Sequence, residues 1–206
     1  MIKYWNYYNA TLIKALMEHL YLVGMSLGFS VIAAAVVVYF TYRRKILLNG
    51  ISYFTSVLYS VPSFALFSLL IPVTGLGKAT AIIVLSLYSQ YILIRNFSVG
   101  ISEIDPDIIE AATGMGMTDF QILTKIRLPL GRKSILAGIK IAATSTIGIA
   151  TIAATINAGG IGKILFDGLR TMSIVKILWG IILTGGLCLS VNVLLWLIER
   201  IIRRTE

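Results

Sequence analysis

The sequence carries little charge for its length. Of its 206 residues, 13% are charged and 57% are apolar, whereas a soluble domain carries roughly 25% charged residues. Its apolar runs of about 20 residues are long enough to cross a bilayer as helices, and they lack the polar face of a surface helix. The composition excludes an ordinary soluble domain and predicts an all-α integral membrane protein, with a single transmembrane domain over residues 1–206.

Cysteine and histidine each occur once, as Cys188 and His19. One cysteine forms no intrachain disulfide, and one cysteine with one distant histidine gives no metal-ligand set. A phosphate-binding loop is also missing, because Gly77-Lys78 and Gly162-Lys163 lack the following Ser or Thr and the upstream glycine of that motif. We therefore predict no metal site, no catalytic residue, no directly bound cofactor and no energy source within the chain.

Acidic residues are scarce, with nine of them against 18 basic ones. They fall in predicted loops or at helix ends, Glu18 and Glu199 included, which argues against a proton-coupled transporter that relays protons through intramembrane acids. The net charge of +9 comes from basic residues at the ends of apolar runs, as in membrane proteins. The expected partner surface is therefore the lipid bilayer and not nucleic acid.

The apolar pattern predicts five spans. They lie near residues 20–40, 53–73, 78–96, 134–156 and 175–202. Pro62 and Pro72 predict a kink in the second span. Residues 1–20 have aromatic and helix-spaced apolar positions, which fit either a short helix lying on the membrane surface or a simple lead-in to the first span.

The basic residues also predict the orientation. Eleven Lys and Arg fall on one side of the five spans and six on the other, and the richer side is expected to be cytoplasmic. The N-terminus is then outside, while the C-terminus and the loop of residues 97–133 are in the cytoplasm. Lys140 is left inside the fourth span, where it either snorkels toward the cytoplasm or serves a polar cavity.

The loop of residues 97–133 carries signals for two short helices. Asp105-Pro106 is an N-cap followed by proline at the first helical position, and Gly114 and Gly116 predict the end of that helix. Thr118 and Gln121 form a capping box for a second helix, which Pro129 is expected to end. The small residues of this loop leave a surface that another protein's backbone can approach closely: Ala111, Ala112, Gly114 and Gly116. The alternative is a hairpin that lies on the membrane surface.

The fourth span and the loop after it are rich in small and hydroxylated residues. Such positions either let helices pack closely or line a path for a solute, and the candidates for a path are Thr144, Thr151, Thr155 and Asn157. The following loop contains Gly159, Gly160, Gly162 and Lys163, which fit either a plain flexible turn or an outer gate that contacts an outside partner. Residues 163–169 are compatible with a short external helix.

Three segments of the sequence together resemble one known family. Glu110-Ala111-Ala112, Gly116 and Ile126-x-Leu128-Pro129 are similar to the EAA loop of binding-protein-dependent ABC importer permeases. Ser60-Val-Pro62-Ser63 and the segment 157–162 look like the corresponding parts of osmoprotectant permeases. The resemblance covers roughly residues 20–202 and implies the type I ABC importer permease fold, in the cytoplasmic membrane of a bacterial cell.

The resemblance also implies partners and roles. Two permease chains, identical or homologous, would form the pore, two ABC ATPase subunits with Mg-ATP would dock on the loops, and an extracellular or periplasmic substrate-binding protein would deliver the solute. Residues 106–113 would form the coupling helix. The residues implied to contact the ATPase are Glu110, Ala111, Ala112, Gly114, Gly116, Ile126, Leu128 and Pro129.

The substrate implied by the resemblance is a quaternary amine such as glycine betaine, carnitine or choline. Aromatic rings attract such cations, which makes Tyr88 and Tyr91 further candidates for the path. A permease for methionine or another amino-acid-like solute is the alternative within the family. An ATP-independent channel or a membrane scaffold is the alternative from another class.

Overall fold

The computed structural model describes residues 1–204. The long helices are α1 (Ile2–Thr41), α2 (Lys45–Ser60), α3 (Ser63–Thr74), α4 (Lys78–Ser102), α7 (Leu128–Ala150) and α9 (Ile174–Arg204). The short elements are α5 (Pro106–Gly114), α6 (Asp119–Ile122), a π turn (Leu123–Arg127), a 3-10 turn (Ile152–Ile156) and α8 (Gly162–Arg170). The described residues contain no strand, so the predicted all-α fold is confirmed.

Four continuous helical segments are long and apolar enough to cross a membrane. They are Lys3–Thr41, Lys78–Ser102, Asp119–Ala150 and Ile174–Ile201. The pair α2 and α3 meets the same test as one broken segment, with a bend of 98° between its halves. The chain is therefore a multi-pass membrane protein with four spans, or five when the bent pair is counted as one.

The first helix decides between the two interpretations of residues 1–20. α1 is unbroken over its 40 residues, so the N-terminal residues are a lead-in to the first span and not a separate surface helix. At about 1.5 Å per residue such a helix is about 60 Å long, roughly twice the thickness of the hydrocarbon core. One end of α1 must extend beyond the bilayer.

The second predicted span is broken rather than kinked. Val61 is extended (ψ 134°) before Pro62, as the steric demand of a proline ring on its predecessor requires. The chain then turns into α3, and Pro72 lies inside α3 without ending it. The Tyr88 hydroxyl donates a hydrogen bond to the carbonyl of Val61, so a backbone acceptor at the break has a partner inside the membrane.

α4 is the central helix, and it packs against α1 on one side and α7 on the other. α4 and α7 cross in backbone contact, since a Cβ added at Gly131 would lie 1.9 Å from the carbonyl oxygen of Gly100. Hydroxyl groups join the same helices, with 2.9 Å between the Ser89 and Thr146 oxygens. Small residues and hydroxyl pairs of this kind hold membrane helices together.

Candidate functional site

The first helix of the loop has the predicted boundaries. The Asp105 carboxylate accepts a hydrogen bond from the backbone N–H of Asp107 at 3.0 Å, and Pro106 opens α5. α5 ends at Gly114, and Gly116 has a φ of +80°, a conformation that favours glycine. Residues 106–113, the predicted coupling helix, therefore form a short capped helix between α4 and α6.

The second helix of the loop starts as predicted but does not end at Pro129. Both hydrogen bonds of the capping box are present, with Thr118 N donating to Gln121 Oε1 at 2.8 Å and Gln121 N to Thr118 Oγ1 at 3.3 Å. The helix then continues through the π turn into α7, and the prediction of a stop at Pro129 is wrong. The wider π turn directly before Pro129 shifts the hydrogen-bond register, so that Leu128 N donates to the carbonyl of Leu123. A proline, which clashes with the i−4 carbonyl in a regular helix, is accommodated there.

Most of the residues assigned to ATPase contact are accessible in this structure. The exposed ones are Glu110, Ala111, Gly114, Gly116, Leu128 and Pro129. Ile126 is half-buried. Ala112 is 1% exposed, so it faces the chain itself and cannot contribute to the predicted low-bulk surface without a rearrangement. α5 also exposes apolar groups beside these residues, with Ile108 at 42% and Met115 at 75% exposure.

In the structure residues 97–102 of the predicted loop belong to α4, and we use the name EAA loop for residues 103–133. This loop is attached to the turn between α1 and α2. The Arg43 guanidinium donates two hydrogen bonds to the Asp119 carboxylate, at 2.7 and 2.9 Å. Both side chains are more than half exposed, and such a bidentate pair is more specific in geometry than a single ion pair. Asp119 is the first residue of α6, so this contact ties the start of α6 to the end of α1.

A second attachment joins the loop to α4. Arg127 Nη1 donates to the carbonyl of Ile101 at 2.5 Å, and the guanidinium lies 5.7 Å from the centre of the Tyr42 ring. Gly131 adds the backbone contact with Gly100 described above. The EAA loop is therefore held on α4 and on the α1–α2 turn, while α5 projects from it.

The residues predicted to line a path lie in different surroundings. Tyr88 is buried and bonded to Val61. The exposed Thr144 accepts a hydrogen bond from Asn192 of α9 at 3.1 Å. Thr155 and Asn157 are exposed, and Thr151 and Tyr91 are half-buried. The buried positions of the fourth span, Ala142, Ala143, Thr146, Ala150 and Ala153, serve helix packing.

The glycines predicted to form an outer gate are closely packed, Gly159 and Gly160 against α1 and Gly162 against the end of the fourth span. The Gly160 N–H donates to the Glu18 carboxylate at 3.1 Å, and a Cβ at Gly159 would lie 2.3 Å from the same carboxylate. Gly162 contacts the carbonyl of Thr151 even more closely, with 1.8 Å to an added Cβ. The segment is therefore a tightly fitted turn in this structure.

A cavity of about 750 Å³ lies between the N-terminal half of α1 and α8. The exposed Lys163 lines it, as do Lys14 and Asp167. α8 spans Gly162–Arg170, so a short helix at the predicted position is confirmed. The Lys176 ammonium donates to the Asp167 carboxylate at 2.6 Å, and this bond, with a second one from Arg170, lowers the pKa of Asp167.

Two acidic residues do not lie where the sequence places them. Glu18 is inside α1, where it bonds Gly160, and Glu199 is inside α9, where it forms an ion pair with Lys140. The Lys140 ammonium is therefore neutralised within the protein by the Glu199 carboxylate, in addition to any reach of its side chain toward the cytoplasm. An isolated charge at this depth is costly, and a paired one is less so.

The sequence reasoning missed a polar cleft between α2 and α4. Its volume is about 500 Å³. The signal was present in the sequence as two polar series at helical spacing, one in each helix, which the scan for apolar runs passed over. Both Tyr91 and Arg95 line this cleft.

Comparison with known proteins agrees with the EAA loop and the fold. Residues 26–205 match the family model described as the binding-protein-dependent transport system inner membrane component. The match covers most of the chain, and the chain therefore belongs to this family of ABC transporter permease subunits.

Two relatives and one solved structure are similar to the chain over most of its length. The chain is 32% identical over 189 residues to the osmoprotectant import permease protein OsmW of Salmonella typhimurium, covering 89% of this chain and 86% of the relative. It is 30% identical over 183 residues to the glycine betaine/carnitine/choline transport system permease protein OpuCB of Bacillus subtilis, covering 89% and 84%. A solved chain of the MetNI methionine ABC transporter superposes with a TM-score of 0.82 at 21% identity, covering 95% and 96%. The type I ABC importer permease fold is confirmed.

Proposed function

We propose that this chain is the permease subunit of an ATP-driven importer for a small osmoprotectant of the glycine betaine, carnitine or choline type. Family membership supports the transport role, and the names of the relatives from Salmonella typhimurium and Bacillus subtilis support the solute class. The structural likeness to a methionine transporter supports the fold alone, because the identity is 21%. Methionine remains the alternative solute to be tested.

The observation that carries the proposal is α5, a capped helix that projects from the membrane helices with Glu110 and Ala111 of its EAA motif exposed. Glu110 and Ala111 are exposed on it, and Ile108 and Met115 add exposed apolar area. A helix that only connected α4 to α7 would not need an N-cap, a proline start and an exposed apolar side chain. The arrangement suits insertion into a groove of an ABC ATPase, whose closure on Mg-ATP would move the loop.

The other partners follow from the same role. A second permease chain, identical or homologous, would complete the pore, and a substrate-binding protein would deliver the solute from outside. The excess of basic residues on one side supports an N-terminus outside and a C-terminus in the cytoplasm. The EAA loop would then face the cytoplasm, and α8 and the 157–162 turn would face the binding protein.

Reconstitution tests the proposal. The chain is purified with its ATPase, inserted into lipid vesicles with the binding protein, and assayed for uptake of labelled glycine betaine and labelled methionine with and without ATP. We expect the ATPase to co-purify and glycine betaine uptake to require ATP. Uptake of methionine alone would contradict the solute class, and uptake that ignores ATP would favour a channel.

A variant pair tests the role of α5. Glu110→Gln removes an exposed charge from the EAA residues, and Asp107→Asn removes one from the first turn of the same helix. Loss of a charged hydrogen bond costs roughly tenfold or more, so uptake per ATPase subunit should fall about that much for Glu110→Gln. It should change by less than about twofold for Asp107→Asn, because loss of an exposed charge without a partner has little effect. If the two variants change uptake per ATPase subunit equally, Glu110 does not have the proposed role in ATPase contact.

A further inference from the structure

The cleft between α2 and α4 has two polar walls. In α2, Lys45, Asn49, Ser52 and Ser56 are spaced by four, three and four residues, and all four line the cleft. Residues at this spacing lie on one face of a helix. A polar face in a membrane helix is directed toward the protein interior or a water-filled space rather than toward lipid.

The wall from α4 has the same spacing. Tyr91, Arg95, Ser98 and Ser102 are again separated by four, three and four residues, and all four line the cleft. Ser102 Oγ is buried without a hydrogen-bond partner among the described residues, although a buried hydroxyl normally has one. The two polar faces enclose about 500 Å³, which is ample for a solute of a few carbon atoms with water. We call this space the α2–α4 groove.

One part of the groove combines a cation with an aromatic ring. Arg95 is exposed and donates from Nη1 to the hydroxyl of Tyr91 at 2.9 Å. The Tyr91 ring lies 5.1 Å, centre to centre, from the ring of Tyr59, which does not itself line the groove. No carboxylate among the described residues forms an ion pair with Arg95; Glu103 also lines the groove, two helical turns along α4.

These groups complement a molecule that carries both a carboxylate and a quaternary ammonium. A guanidinium binds a carboxylate with two parallel hydrogen bonds, and tyrosine rings attract an ammonium group that has no N–H to donate. A solute with only the ammonium would gain the aromatic contact but would be repelled by Arg95. The groove therefore favours a zwitterion over a simple cation.

We propose that the α2–α4 groove binds the zwitterionic solute during its passage, with Arg95 on the carboxylate and the ring of Tyr91 on the ammonium. The site rests on the proposed function, since it needs a transported quaternary amine. It differs from the path predicted along the small residues of the fourth span, because its walls are α2 and α4.

The test compares a zwitterion with a cation in the reconstituted transporter. Uptake of labelled glycine betaine and of labelled choline is measured with ATPase and binding protein present, for the wild type and for Arg95→Gln, Arg95→Lys and Arg44→Gln. Arg44 is an exposed arginine in the turn before α2 that does not line the groove, so Arg44→Gln is the matched control.

We expect Arg95→Gln to reduce glycine betaine uptake about tenfold or more and to leave choline uptake unchanged or higher. Arg95→Lys should recover part of the glycine betaine uptake, which also shows that the position tolerates substitution. If the wild type carries glycine betaine but not choline, Arg95→Gln should still reduce glycine betaine uptake and Arg95→Lys should still recover part of it. ATP hydrolysis stimulated by the loaded binding protein should persist in every variant.

Two results would overturn the site. One is an unchanged ratio of glycine betaine uptake to choline uptake in Arg95→Gln, whether or not both rates fall, and the other is a wild type that carries only choline. Failure of the proposed function looks different, because the wild-type transporter would then take up none of glycine betaine, carnitine and choline with ATP. The same experiment therefore tests the two proposals separately, because wild-type uptake tests the function and the Arg95 variants test the site.

Discussion

The backbone contact between α4 and α7 leads to a graded prediction. A Cβ added at Gly131 would lie 1.9 Å from the carbonyl oxygen of Gly100, and a Cβ added at Gly100 would lie 2.7 Å from that of Gly131. Gly148 lies in the same α7, and an added Cβ there has nothing within 4 Å. The same substitution, glycine to alanine, can therefore be made at three sites that differ in how far the added methyl group would overlap its neighbours.

The expected sizes follow from these distances. Non-bonded carbon and oxygen atoms do not approach within about 3 Å, so Gly131→Ala must separate the crossing backbones by more than about 1 Å, at a cost of about 1–3 kcal/mol. For a chain of this length each kcal/mol lowers the melting temperature by roughly 2–4 °C. Gly131→Ala should therefore melt about 2–12 °C lower and Gly100→Ala somewhat less. Gly148→Ala should be neutral or slightly more stable, because alanine is the better helix former.

Thermal unfolding in detergent, followed by size-exclusion chromatography of the soluble fraction, measures the three variants side by side. Gly131→Ala should be the least stable variant, followed by Gly100→Ala and then Gly148→Ala. If Gly131→Ala and Gly148→Ala melt at the same temperature, the backbones of α4 and α7 are not in contact. The EAA loop would then be attached to α4 through Arg127 and Ile101 without the glycine contact.

Two further predictions concern ion pairs. Arg43→Asp and Asp119→Arg should each weaken the attachment of the EAA loop and lower solute uptake per ATP hydrolysed. The double variant restores the ion pair in reverse and should recover uptake. A double variant that transports as poorly as either single variant would contradict this. The folded-state pKa of Asp167 is lowered, chiefly by the hydrogen bond from Lys176. The ionised Asp167 therefore stabilises the fold above its unfolded-state pKa, and this stabilisation is lost as the pH falls through the lower, folded-state pKa. The melting temperatures of the wild type and Asp167→Asn should differ modestly at neutral pH, because exposed ion pairs contribute little, and should converge in acid. A difference that persists in acid would contradict this.

Local signals in the sequence predicted the features of the EAA loop that depend on neighbouring residues. A cap such as Asp105 or the Thr118–Gln121 box needs only the chain within four residues, and all of these hydrogen bonds are present. Pro129 failed as a stop signal because its cost depends on the turn before it, and that turn is a π turn. Nothing within a few residues of Pro129 specifies the wider turn.

Contacts between distant segments were beyond the sequence reasoning. The ion pair of Lys140 with Glu199 joins residues 59 apart, and the hydrogen bond from the Gly160 N–H to the Glu18 carboxylate joins residues 142 apart. Neither contact can be predicted from local sequence, in which a charged residue near the end of an apolar run is expected to face water. The 98° bend before α3 was underestimated for a related reason. Pro62 indicates that the helix is interrupted, but the angle is not encoded locally, and both halves of the bend pack against the distant α4.

The two attachments of the EAA loop lie on or next to the two helices that wall the α2–α4 groove. Arg43, held by Asp119, stands two residues before the start of α2. Ile101, held by Arg127, lies six residues beyond Arg95 on α4, about 9 Å along the helix axis. A helix transmits an axial or lateral push over this distance with little bending. A displacement of the EAA loop would therefore reach α4 through Ile101 and the turn before α2 through Arg43, and a loop that rotated would move the two by different amounts. This links the surface that an ATPase would move to the width of the space where the solute would bind, without requiring a signal to pass through α7.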